Sequence, residues 1–448
     1  MALQPRTPAS QPDPDLQTGL QYLRAGWYDR AEPLFRSAVA RYGERPDILH
    51  YLAVCLSQRG ALAEAEVLWR KAVAKDPNEP MLSYNLGLVA RRLGRLDEAA
   101  RRFRDTIRRA PAHVEARLAL ASLHVDQGRF AAAERELSEV VSNLERAIEQ
   151  PGGEQVKPLQ ARARNLLGHV LYRLGHHAPA IEMLDLALVD AGDEAGRRGQ
   201  ILGDRALALG GLGHHDEAIA EATRALELAP QNASLNHVLG FIFYYAGRVS
   251  DAIPPTQKAL ELDPSFTPAL HTLARAQSAA GQADAALGVL QRALRQNPLD
   301  RDAILQFSFL HITHSRFEAA LEALEPYLKT APDDVSALNS QGLALRGLKR
   351  FDEARRVLKR ASRLASDDPL VLTNLGSVLV DLGRAAEARM LHEHALRSLP
   401  GDSRLLANYG ACLAALGERD KARETLDAAL AADPNNAGAL AARANLDA

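Results

Sequence analysis

A period dominates this sequence. Pro77 and Pro111 stand 34 residues apart, the step recurs through Pro230, Pro264, Pro298 and Pro332, and Pro400 and Pro434 keep the same phase. Alanines keep it too: Ala31, Ala65, Ala99 and Ala133, then Ala180, and after a short insertion Ala218, Ala252, Ala286, Ala320, Ala354, Ala388 and Ala422. Twelve positions before each alanine sits a small residue, in the order Gly19, Ala53, Gly87, Ala121, Gly168, Ala206, Gly240, Ala274, Ser308, Gly342, Gly376 and Gly410. Self-similarity at such a step marks stacked supersecondary units rather than one closed core.

Each repeat reads as two short helices. Between the small residue and the alanine lies a turn glycine (Gly60, Gly94, Gly128 and their equivalents), which reaches positive φ and closes the first helix. Leu86, Ala90 and Leu93 stripe one flank, and Ala99, Phe103 and Ile107 the other, at helical spacing. Proline then ends the second helix, because it drives its predecessor out of the α region. The small residue and the alanine fall where two backbones approach closely. Neither helix can bury its apolar face alone, so the hairpins must stack.

The 34-residue period, with segments such as YNLGLVARRLGRLDEAARRFRDTIRRAP at 84–111, resembles the tetratricopeptide repeat family over nearly the whole chain. About twelve repeats result. The resemblance implies an all-α solenoid, a right-handed superhelix whose concave groove is lined by the first helix of each repeat. We read residues 1–11 as a disordered tail, 12–147 as repeats one to four, and 148–160 as an extended helix end and loop. Residues 161–436 form repeats five to twelve and 437–448 a capping helix. Two repeats break their own rules. The seventh carries Pro254-Pro255 early in its second helix, with Ser250 as the expected N-cap. The ninth has Pro326, Tyr327 where alanine is usual, and Ser315 in place of the turn glycine.

Function classes narrow by exclusion. The formal charge is -2 and the two cysteines, Cys55 and Cys412, lie far apart, so neither a nucleic-acid surface nor a disulfide or zinc framework is indicated. No phosphate loop, dinucleotide loop or nucleophile elbow is present, and no catalytic residues, cofactor or metal are expected. No apolar run spans a bilayer and the first residues lack a signal-peptide layout, so a cytoplasmic location is expected. His176-His177 and His214-His215 follow equivalent turns; the second of each pair fills the slot that Phe130 or Phe317 holds elsewhere. The basic runs around Arg91–Arg109 and Arg346–Arg363 lack interleaved aromatics and read as solvated faces or an acidic-partner contact.

By the resemblance, positions 2, 5, 6, 9, 12 and 13 of each repeat face the groove. Read off, repeats five to nine concentrate aromatic, histidine and arginine residues there: His169, Tyr172, Arg173, His237, Phe241, Tyr244, Tyr245, His271, Arg275 and Phe309, with Asn165, Asp204 and Gln306 among them. Such a cluster has the composition of a protein-binding hot spot. The two-carboxylate clamp of chaperone-binding relatives is absent, since no repeat carries Lys-x-x-x-Asn at the groove positions. The asparagine ladder of sugar-transferase relatives is reduced to Asn85, Asn374 and Asn408. The expectation is therefore a non-enzymatic scaffold holding a protein or peptide segment, its partner unidentified and its oligomeric state open. The alternatives are an accessory subunit of a glycan-assembly or secretion enzyme, and a small-molecule or metal sensor.

Overall fold

The computed structural model describes residues 14–150 and 153–447. The expected disordered tail and the Pro151-Gly152 step lie outside them. All regular structure among the described residues is helical. The first three repeats pair α1 (Pro14–Arg24) with α2 (Tyr28–Tyr42), α3 (Pro46–Gln58) with α4 (Leu62–Lys75), and α5 (Pro80–Arg92) with α6 (Leu96–Arg109). Three more follow: α7 (Val114–Asp126) with α8 (Phe130–Ile148), α9 (Lys157–Arg173) with α10 (His177–Asp190), and α11 (Ala195–Gly211) with α12 (His215–Leu228). The next three pair α13 (Ala233–Tyr245) with α14 (Val249–Leu262), α15 (Thr267–Ala279) with α16 (Ala283–Gln296), and α17 (Arg301–Thr313) with α18 (Phe317–Thr330). The last are α19 (Val335–Gly347) with α20 (Phe351–Leu364), α21 (Pro369–Asp381) with α22 (Ala385–Ser398), and α23 (Ser403–Ala415) with α24 (Arg419–Ala432), followed by α25 (Ala437–Asp447). The chain divides after Pro230 into two compact bodies, each an α-solenoid of helical hairpins.

Local chemistry explains the punctuation. First helices close with a left-handed turn: at Gly60 (φ 86°) the residue's own N–H reaches Ser57 O and the next N–H reaches Leu56 O, satisfying two terminal carbonyls. Ser315 (φ 57°) and Lys349 (φ 60°) hold the same conformation without glycine's freedom. Many first helices open on a side-chain cap. Asp334, Asp368 and Asp402 accept from backbone N–H groups of the first turn, whereas second helices have no such cap.

Packing follows the small-residue lattice. Every lattice alanine from Ala31 to Ala422 is fully buried. A Cβ added at Gly342 would lie 2.4 Å from Leu358 Cγ, and one at Gly410 2.6 Å from Leu426 Cγ. At most lattice glycines a large side chain sixteen residues on plugs the gap: Phe35 on Gly19, Phe103 on Gly87, Leu184 on Gly168 and His392 on Gly376, with the smaller Thr256 on Gly240. Within each body, first helices also touch the first helix of the next repeat, as at α9–α11, α13–α15 and α21–α23. Second helices meet the first helices before and after them.

Two sequence expectations change, and the proline-bearing second helices run on. Arg248, not Ser250, is the N-cap of α14, and Pro254 and Pro255 sit in the second turn of a helix that runs unbroken to Leu262. Thr256, just past them, packs against Gly240, donating its Oγ1–H to Ala252 O at 2.6 Å. Between α8 and α9 the linker is short: a 3-10 turn fills Gly153–Val156, and helix has resumed at Lys157, where loop was expected. Pro326 does not interrupt α18, and Tyr327 next to it donates its hydroxyl to the capping carboxylate of Asp334 at 2.9 Å.

Candidate functional site

First helices are joined by polar rungs whose two residues lie 35 apart. His169 meets Asp204 at 2.9 Å, His237 meets Thr272 at 3.1 Å, Asn374 donates to Asn339 at 2.9 Å and Arg346 to Asp381 at 2.5 Å. These rungs decide which inward-facing residues are free and which are part of the wall.

In the C-terminal body, α13 carries His237, Phe241 and Tyr245 on one stripe at four-residue steps, with Tyr244 beside them. The ring centroids of Phe241 and Tyr245 are 4.5 Å apart, those of Tyr244 and Tyr245 5.3 Å and nearly perpendicular, and those of His237 and Phe266 5.3 Å. The stripe opens at one end: His237, Phe241 and Tyr244 are half-buried, and Tyr245 is 54% exposed. Burial, seconded by the neighbouring His271, pushes the His237 imidazole down to about 4. His271 is itself committed, bonded at 3.0 Å to Asp300, which caps α17 through Ala303 N. Arg275 has no acidic partner among the described residues. Phe309 stands 59% exposed on α17, and no ring packs on it among the described residues. Gln306 is half-buried, and its amide nitrogen finds no partner.

The N-terminal body holds the remaining candidates. His169 is tied to Asp204, and Tyr172 lies between the rings of His169 and His177, at 6.4 and 5.6 Å. The Arg173 guanidinium sits 4.4 Å over the Phe130 ring, a cation–π contact with the preceding hairpin. Asn165 is half-buried with an unpartnered side-chain oxygen. His177 fills an aromatic slot, its ring against Gly211, as Phe317 rests against Gly347.

Three arginines of the third repeat pair with carboxylates. Arg95 grips Glu66, Arg91 reaches Asp126 at 2.7 Å, and Arg108 pairs with Asp105. Arg95–Glu66, Arg70–Glu98 and Arg59–Glu32 join the first three hairpins by ion pairs, and Arg91–Asp126 joins the third to the fourth. Cys55 and Cys412 are fully buried, and burial raises their thiols to about 12 and about 11, which keeps both protonated and unreactive. Among the described residues no three His, Cys, Asp or Glu side chains converge as a metal would need, and no helix is long and apolar enough to cross a membrane.

One feature escaped the sequence reading. Between α3 and α5, with Trp69 of α4 among its walls, lies a cleft of about 440 Å³ lined by Val54, Ser57, Gln58, Asn85, Leu88, Val89, Arg91 and Arg92. Its signal in the sequence is the 35-residue spacing of Ser57 and Arg92, another rung.

Comparison with known proteins agrees with this architecture. Two family models, each described as tetratricopeptide repeat, match residues 84–143, 204–265 and 310–369, and residues 22–84, 243–306 and 379–446. No curated protein sequence matches the chain. Among solved structures, a tetratricopeptide repeat protein from Parabacteroides merdae ATCC 43184 is 18% identical, with a TM-score of 0.50 over 56% of this chain and 100% of its own. The APC/C hetero-tetramer Cut9-Hcn1 yields 15% identity and a TM-score of 0.49 over 98% of this chain and 97% of the other. Yeast Tom70 yields 16% and 0.47 over 91% and 96%. Lattice, hairpins and family models coincide along most of the sequence, and the chain belongs to the tetratricopeptide repeat family.

Proposed function

We propose that this chain is a non-enzymatic scaffold that holds a segment of a partner protein against the first helices of its C-terminal body. The observation that carries the reading is the aromatic stripe of α13, which opens toward solvent at Tyr245 while its other end is locked by the His237–Thr272 rung. A rigid aromatic ledge with an exposed end, near an arginine without a counter-ion, suits an apolar anchor followed by a carboxylate. Phe241, Tyr244, Tyr245 and Phe309 supply the apolar contact, and Arg275 the charge. His237 and His271 are wall residues that hold the ledge in place. His169, Tyr172 and Arg173 form a separate set on the N-terminal body. Protein binding is the general role of the family, and the partner is a protein or peptide. No observation singles out an enzyme's accessory subunit or a metal sensor over this reading.

The test replaces both tyrosines. Tyr244→Ala with Tyr245→Ala should leave helicity by circular dichroism unchanged and cut partner recovery in quantitative co-purification at least about tenfold, the loss expected for hot-spot aromatics. An unaltered co-purification profile in a folded double variant would remove this surface from consideration.

A further inference from the structure

The cleft between α3 and α5 lies in the other body and owes nothing to the α13 stripe. Its wall is apolar: Val89 and Trp69 are buried, and Val54 and Leu88 are half-buried. Trp69 is fixed there, since its indole Nε1–H donates to His50 Nδ1 at 3.1 Å. Two guanidinium groups stand at the cleft, in different states. Arg91 is neutralised by Asp126 at 2.7 Å. Arg92 has no carboxylate partner among the described residues. Its Nη1 donates to Ser57 O at 3.1 Å and to Ser57 Oγ at 3.2 Å, both neutral acceptors of the neighbouring repeat. Those bonds occupy one edge of the guanidinium. The Nε–Nη2 edge, which grips a carboxylate through two parallel bonds, has no partner. The cleft therefore carries one uncompensated positive charge, already oriented, beside an apolar wall. Asn85 spends its Nδ2 on Met81 O at 2.8 Å, which leaves Oδ1 as a free acceptor, and Gln58 is exposed on the opposite helix.

We propose that this cleft binds an extended peptide segment of a partner protein that carries a single Asp or Glu next to an apolar residue. The carboxylate lies on the Nε–Nη2 edge of Arg92, and the apolar side chain lies against Val54, Leu88 and Trp69. Main-chain amides of the segment engage Asn85 Oδ1 and Gln58. A volume of about 440 Å³ falls at the small end of ligand sites, large enough for two neighbouring side chains and too small for a folded element. A peptide gains more here than a free carboxylic acid, because its main-chain amides also bond Asn85 and Gln58. Ser57 is a positioning residue: it orients Arg92 and does not touch the ligand.

The test is a random dodecapeptide display library selected on the immobilised full chain, with Arg92→Gln as the counter-screen. Arg92 is exposed, so the substitution leaves the fold intact, and circular dichroism checks this. Enriched sequences should share an acidic residue within two positions of Leu, Ile, Met or Phe. In fluorescence anisotropy, one such peptide should lose about tenfold or more in affinity on Glu→Gln or on Arg92→Gln, the size of a lost charge-assisted pair. Ser57→Ala should weaken it less, and Tyr244→Ala with Tyr245→Ala not at all. That last result separates this cleft from the α13 surface, so either can fail alone. Enrichment that survives Arg92→Gln, the absence of any Arg92-dependent sequence, or equal binding of the Glu and Gln peptides would overturn the proposal. Complete displacement by sodium octanoate would overturn it too, assigning the cleft to small apolar acids.

Discussion

His392 is the residue most at odds with its surroundings. It occupies the plug position that Leu358 and Leu426 fill in flanking repeats, packed on Gly376 and 1% exposed, and neither ring nitrogen has a partner. Burial, with Arg346 as a second and smaller cause, drives its imidazole down to about 4. The sign of the pH effect follows. Above the unfolded value near 6.5 both states are neutral and nothing changes. Below it the unfolded chain binds a proton that the folded one refuses, so stability falls between about pH 6.5 and 4, by about 3 kcal/mol for such a shift. His392→Leu should raise stability at pH 7 by about 1–3 kcal/mol, because two buried unsatisfied groups disappear. It should also flatten the acid limb of a melting-temperature profile. A residual slope should persist, since His50 and His237 are likewise held near 4. His50 cannot take a proton on Nδ1 without losing its bond from Trp69. A profile identical to that of the unmodified chain would count against the assignment.

Within single helices, glycine has two opposite meanings here. Gly288 lies exposed inside α16 with nothing within 4 Å of an added Cβ, so Gly288→Ala should stabilise by about 1 kcal/mol through helix propensity alone. Gly342 lies inside α19, where the same Cβ would meet buried Leu358 at 2.4 Å. Gly342→Ala should therefore destabilise by a net 1 kcal/mol or so, overpacking outweighing propensity. Urea titrations of the two variants should move in opposite directions. The same logic explains what could be read beforehand. The repeat lattice was legible because close backbone approach admits only small residues at fixed spacing, and each one appears as Gly, Ala or Ser. The capping of α14 by Arg248 was not, because Ser250 is the better cap by composition and the helix nevertheless begins earlier. The groove was legible only as a list of inward-facing positions. Which of them are free depends on cross-repeat bonds such as Ser57–Arg92 and His271–Asp300, and local composition does not reveal those. Phe309 and Tyr245 turn out exposed while His237 and His271 are wall, a division that side-chain type alone would not make.

Across the molecule, stability is a chain of neighbour contacts, so damage should stay local. Helix α25 lays Ala439 and Leu446 against a cluster that includes Leu413, Ala422 and Leu426, and Asn436 before it donates to Ser403 Oγ at 2.8 Å. Removing residues 437–448 should uncover that cluster at a loss of about 2–4 kcal/mol for the last hairpin. Hydrogen exchange should show lost protection in α23 and α24, with α1 to α6 unchanged, and light scattering should show association through the bared face. Uniform loss of protection along the chain would contradict nearest-neighbour coupling. The 35-residue rungs carry a further implication for recombining such proteins. Each rung straddles a junction between hairpins, so a chimera spliced between α4 and α5 separates Ser57 from Arg92, and one spliced between α10 and α11 separates His169 from Asp204. Grafts that carry a binding surface intact must include both hairpins of each rung, taking each donor together with its acceptor one hairpin away.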